Sequence, residues 1–149
     1  MREREKARYL KEIRDLREVQ QLVAETRAME AAKALELREK QLEDQQNLLT
    51  QAADGWRSAA ERGDPCNPML SLWGASLMAA VGQVKLGEAE VAEAERLHRG
   101  ALDAWSSSLA MNRVADAGHR TARRDLAAHL SARALDDAID LLISRGRAL

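Results

Sequence analysis

The side chains able to do chemistry in this chain are few and far apart. Asp125 and His129 stand four residues apart, so on a helix they share one face, and the carboxylate could orient the imidazole as a general base. No nucleophile accompanies them. Ser106, Ser107 and Ser108 form a run that lacks the strained strand-to-helix turn that exposes and activates a serine. His98, His119 and the single Cys66 are too dispersed to give the ligand spacing of a zinc site. The glycines are scattered and make no phosphate-cradling loop. These residues argue against catalysis, and no cofactor or metal is expected.

Charge gives a stronger signal. Arg113, His119, Arg120, Arg123, Arg124 and Arg133 cluster late in the chain, while Arg2, Arg4, Lys6, Arg8, Lys11, Arg14 and Arg17 crowd its start. Between them Glu88, Glu90, Glu93 and Glu95 make an acidic stretch. A basic region separated from an acidic one suits contact with an acidic partner. The plainer alternative is a solvated face with interspersed acids. Nucleic acid is not expected: the net charge is −1, and aromatics for base stacking are nearly absent beside the basic residues, Tyr9 excepted.

The elements that must carry these residues follow from two heptad ladders. Ala28, Leu35, Leu42, Leu49 and Trp56 recur every seven residues, and so do Leu70, Leu77, Val84, Val91, His98 and Trp105. A seven-residue apolar repeat marks a helix packed along a partner helix in a left-handed supercoil. Between the ladders lies the one cluster of helix breakers, Gly63 to Pro68, so the partner is the same chain folded back. The expected fold is all-α: a long antiparallel two-helix coiled-coil hairpin with a C-terminal helical extension, in one domain spanning 1–149. Helix 1 is placed at about 3–61, the turn at about 63–67, and helix 2 at about 68–144, perhaps bent near Gly118. Gly63 suits a left-handed helix end, and Asn67 followed by Pro68 suits a helix start. At about 1.5 Å per residue, helix 1 would be nearly 90 Å long. No Phe, one Tyr and three Trp, with 32% charged residues, point to a thin buried seam and not a central core.

The register can be read from the same ladders. Positions facing each other across an antiparallel seam sum to a constant, here 129. That pairs Trp56 with Trp73, Leu49 with Ala80, Leu42 with Gly87, Leu35 with Ala94 and Ala28 with Ala101. The alternate layers pair Ala59 with Leu70, Ala52 with Leu77, Gln45 with Val84, Arg38 with Val91, Ala31 with His98 and Ala24 with Trp105. Most layers set a large residue against a small one, which fills a close-packed seam.

Toward the termini the ladder loses its apolar residues. Arg14, Gln21, Ser108 and Asn112 occupy positions where it should continue, while Tyr9, Ile13, Leu16, Val19 and Val23 lie off it, as do Leu109, Met111, Val114 and Leu126. The expectation is a seam that slips or helices that splay. Residues 130–149 overhang the first helix, and their Leu135, Ile139, Leu142 and Ile143 form an apolar stripe with no counterpart in the hairpin. Such a stripe often marks a docking surface. No signal peptide and no membrane span is expected, because no long apolar run exists. A lone cysteine suggests a reducing compartment, and the expected location is cytoplasmic.

The whole pattern resembles the FliJ-type family, the small coiled-coil stalk proteins of flagellar and virulence type III export apparatus. The resemblance covers nearly the full length: the basic helical start from Tyr9 to Glu18, the long uninterrupted helix, the single mid-chain turn, Trp105, and the closing Leu135-Asp136-Asp137-Ala138. The family binds a membrane export-gate protein through residues placed before and after the turn with spacings of four, three and four. Gln45, Leu49, Ala52 and Trp56 match the first set, and Trp73, Leu77, Ala80 and Val84 the second. Ala52 departs from a family aromatic, Val84 from a family histidine, and the turn is short. The register also claims these eight residues for the seam, so core, gate-binding surface and a partly open seam all stand.

The resemblance implies a non-enzymatic role in protein transport. Such a protein docks in the hexameric export ATPase, promotes its activity, reaches toward the gate, and escorts export chaperones. Its place would be the inner face of the cell membrane, at the base of the apparatus, held there peripherally through partners only. Arg120, Arg123 and Arg124, with Leu135, Ile139 and Leu142, are then the expected ATPase contact. Two other readings remain: a generic self-associating coiled-coil adaptor, and a nucleic-acid-associated helical protein using the Arg113–Arg133 face.

Overall fold

A computed structural model describes residues 2–64 and 66–148. Two helices, α1 (Arg2–Glu61) and α2 (Pro68–Arg147), hold nearly all of them, pack against each other as an antiparallel hairpin, and leave no strand among the described residues. Both are rich in Ala, Leu, Glu and Arg, which lose little side-chain freedom in a helix. α2 runs unbroken through Gly118 and ends at Arg147, three residues beyond the expected end. A lone glycine weakens a helix by only about 1 kcal/mol, so the helix continues through it.

The turn is built by side chains that satisfy the helix ends. Gly63 adopts φ +74°, the left-handed conformation that a side chain would strain, and its N–H donates to the Ala60 carbonyl at 3.1 Å. The Cys66 N–H donates to Asp64 Oδ1 at 3.0 Å. Asn67 caps α2: its Oδ1 accepts the Met69 N–H at 3.0 Å.

The chain divides into two compact units. The turn unit is Glu25–Asp103; the terminal unit combines Met1–Ala24 with Ala104–Leu149.

In the turn unit the seam follows the expected register. Ala28, Ala52, Ala59 and Val84 are buried, while Leu35, Leu42, Leu49 and Leu77 are half-buried, because one helix cannot enclose a large side chain on another. Gly87 lies under Leu42 and Gln45: a Cβ there would come within 3.1 Å of Leu42 Cδ1. At the tryptophan layer Trp73 lies over Gly55 and Trp56 over Gly74, so each indole takes the space over a glycine of the other helix.

In the terminal unit the expected slip does not occur. Arg14, Arg17, Gln21, Ser108 and Asn112 stay on the seven-residue ladder and are half-buried. All but Ser108 bond across it instead. Asn112 Nδ2 donates to Gln21 Oε1. Arg14 Nη1 bonds His119 Nδ1 at 3.2 Å, and Arg17 Nη1 reaches Met111 Sδ at 3.1 Å. Ala7 and Ala122 are buried on the same ladder. The apolar side chains expected to take over the seam are mostly outside it: Tyr9, Leu16, Val19, Val23, Met111 and Val114 are exposed, while Ile13, Leu109 and Leu126 are half-buried. Satisfied polar pairs hold the register, so no slip is needed to bury apolar surface.

Candidate partner-binding surfaces

The eight gate-type residues all belong to the turn unit, and the structure makes them a seam with one side open. Ala52 and Val84 are buried, Gln45, Leu49, Trp73, Leu77 and Ala80 are half-buried, and Trp56 is 42% exposed. Beside them runs a groove of about 610 Å³. Four of the eight, Gln45, Ala52, Trp73 and Ala80, line it, with Leu48 and Ala79. The groove exists because the seam is thin: small residues draw the backbones together and leave the flank of Trp73 uncovered. Leu48 and Ala79 were absent from the sequence reading. They lie off the ladder, and no spacing rule marks a groove wall.

Gln45 is a buried polar anomaly. Its Oε1 sits without a hydrogen-bond partner in the protein, beside Gly87. Trp105 Nε1 in the terminal unit is buried and unpartnered in the same sense. Unpaired buried polar atoms cost stability, and they are places where a ligand or partner can bind.

The turn unit holds a second, shallower groove walled by Ala31, Ala34, Ala89, Ala94 and Leu97. The Arg38–Glu90 ion pair, 3.0 Å, closes across it. On α2 the Arg96 guanidinium bonds Glu93 at 2.6 Å, and that bond holds the Glu93 carboxyl below the usual range.

The proposed ATPase-contact residues lie in the terminal unit, and all six are exposed. Arg120 is braced by Asp116 at 2.7 Å, one turn back on the same helix. Arg123 and Arg124 project from the same stretch. Leu135, Ile139 and Leu142 stand on the extension, where every described residue from 130 onward is exposed. His119 departs from the basic cluster in which the sequence placed it: it is 6% exposed and sits in the seam against Arg14. The Arg14 guanidinium is held above its usual range by its hydrogen bond to Asp15, with Asp116 adding to the attraction. Asp125 and His129 do not form a dyad; His129 Nε2 lies 3.9 Å from Glu3, and no cluster of metal-ligating side chains occurs among the described residues.

The units carry opposite charge. The terminal unit has 14 Lys and Arg against 10 Asp and Glu, and the turn unit 9 against 14, which together make the 23 and 24 of the whole chain. Within α2, residues 69–86 carry a single charge, Lys85, and by length and composition alone the helix is apolar enough to cross a membrane.

Comparison with family models, with curated proteins and with solved structures finds no match to this chain in any of the three.

Proposed function

We propose that this chain is a non-enzymatic stalk of a type III protein export apparatus, flagellar in the first instance. Its terminal unit docks on the hexameric export ATPase and promotes ring assembly and hydrolysis. Its turn unit meets the membrane-embedded gate, and the hairpin escorts export chaperones. The protein works at the cytoplasmic face of the membrane and is held there through its partners.

The observation that carries this reading is the extension of α2. It offers an exposed arginine face at Arg120, Arg123 and Arg124, followed by an exposed apolar stripe at Leu135, Ile139 and Leu142. Basic side chains suit the acidic rim of a partner, and the stripe supplies the apolar area that a charged contact alone lacks. The groove beside Trp73 supports a second docking point of different chemistry, apolar and set in an acidic unit. The test is ring assembly of the export ATPase from the same cell, followed by sedimentation with and without this protein. Rings formed only in its presence support the stalk. ATPase that sediments unchanged at every ratio refutes it.

A second reading, a self-associating coiled-coil adaptor, is favoured by one feature: the apolar residues on the outer face of α1, among them Leu16 at 57% exposed.

A further inference from the structure

The first helix is inside out over the terminal unit. Arg14, Arg17 and Gln21 face the seam, while Tyr9, Leu16 and Val23 face solvent at intervals of seven. A seven-residue apolar period is the mark of a surface that packs along another helix. The seam already uses the other side of α1, so the outer ladder requires a further helix. The extension of α2 presents the matching problem: Leu135, Ile139 and Leu142 are exposed on a helix that continues without a break beyond the start of α1. A helix that continues past the start of its own α1, with every described residue from 130 onward exposed, does not fold back onto it.

We propose that each solves the other between two copies: the α2 extension of one copy lies antiparallel along the outer face of α1 of the next. The two surfaces fit by the rule that holds in the hairpin seam. With facing positions summing to 155, Tyr9 meets Gly146, Leu16 meets Ile139, and Val23 meets Ala132, while Leu135 and Leu142 fall in the layers of Gln20 and Ile13. The outer layers set large against small, as Leu42 and Gly87 do in the turn unit. Nothing lies within 4 Å of a Cβ built on Gly146, so its surface is open to a ring.

The charges agree as well. Glu12 falls beside Arg145, and Arg17, whose guanidinium is held in the seam by Met111 Sδ and Gln20 Oε1, falls beside Asp136. These pairs sit two above and two below the facing sum, on opposite flanks, where the bordering positions of an antiparallel pair belong. The partner's chemistry is therefore specific: an amphipathic helix with an acidic flank toward Arg17 and a basic one toward Glu12. The α2 extension supplies both. Because the two faces differ, the contact is head-to-tail and leaves a free face at each end, so association is open-ended. The inference holds whether or not the chain serves an export apparatus; an ATPase bound at the extension would displace the second copy.

The experiment is sedimentation equilibrium of the full chain over a range of concentrations, with Leu16→Asp and Ile139→Asp. The wild type should rise above the 16.5 kDa of one chain as concentration increases. Each variant loses one of the two faces that every contact needs, so alone it should stay at the monomer mass. An equal mixture of the two should reach twice that mass and no more, because the intact face of each meets the intact face of the other. A wild type that stays monomeric throughout, variants that associate like the wild type, or a mixture that stays monomeric overturns the proposal. Should either aspartate variant lose helicity, Glu12→Arg and Arg145→Glu replace them. Each weakens association alone, and the two mixed must restore it; failure to restore has the same meaning.

Discussion

Gly55→Ala and Gly82→Ala are the same chemical change in the interiors of the two helices, and the structure gives them opposite signs. Helix propensity alone favours alanine at both by about 0.8–1.0 kcal/mol. At Gly82 nothing lies within 4 Å of the added methyl, so the full gain is expected. At Gly55 the methyl would lie 2.5 to 2.6 Å from three ring carbons of Trp73. An indole is rigid and cannot yield as the end of a flexible chain does. The ring must leave its place over Gly55, which loses its packing and exposes apolar surface at a cost of about 1–3 kcal/mol. The net for Gly55→Ala is then a loss of up to about 2 kcal/mol, against a gain of about 1 for Gly82→Ala. Urea unfolding followed by circular dichroism and by tryptophan fluorescence reads both. The emission of Gly55→Ala should also shift, since the displaced ring is one of only three tryptophans. Adding Trp73→Leu should remove most of the penalty of Gly55→Ala, giving a coupling above about 0.5 kcal/mol. Equal stabilisation by both glycine replacements would refute the placement of Trp73 over Gly55, and with it the register of the turn unit.

Other outcomes follow from the same structure. Leu42→Asp sets a carboxylate in the half-buried layer against Gly87 and should cost about 2 kcal/mol, seen as a lower urea midpoint. Gln21→Leu alone should destabilise the terminal unit by about 1–2 kcal/mol by orphaning Asn112, whereas Gln21→Leu with Asn112→Leu should be neutral or stabilising in the same assay. Replacing Arg120, Arg123 and Arg124 together by Ala should weaken retention of the export ATPase at least tenfold with unchanged helicity; normal retention would remove the basic face from the docking site. Glu3 has its carboxyl held below the ordinary 4.5, chiefly by a hydrogen bond from its own backbone N–H and also by His129. Its contribution is therefore complete above that ordinary value and lost as pH falls through the lower folded one, so the backbone chemical shifts of the first turn of α1 should move toward their unstructured values on acidification in that range.

Much of the fold was legible because a coiled coil writes its geometry into spacing. The two ladders, the breaker cluster and the large-against-small layers placed the turn and put Leu42 over Gly87. The caps at Gly63 and Asn67 were legible because each residue type has a distinct physical use there. The terminal unit was misread for a definite reason. Apolar residues were assumed to seek the seam, but Gln21 with Asn112 and Arg14 with His119 satisfy one another across it, so the ladder continues in polar form. Burial pattern alone cannot reveal that pairing. His119 was misplaced by the same assumption, as a surface cation among arginines. The glycines that the indoles of Trp56 and Trp73 cover were not legible, because the register assigns layers and not the lateral direction of a large ring. Among the candidate site residues, the exposed stripe at Leu135, Ile139 and Leu142 was legible from the overhang. The groove beside Trp73 was not, since its Leu48 and Ala79 walls carry no periodic signal.

ATP hydrolysis tests the proposed stalk role most directly. The export ATPase from the same cell is titrated with this protein, and the rate is followed as the ratio approaches one chain per hexamer. The stalk reading predicts stimulation that saturates near that ratio and is lost with the Arg120, Arg123 and Arg124 replacements. A rate that stays flat at every ratio, with the protein fully helical, would contradict it.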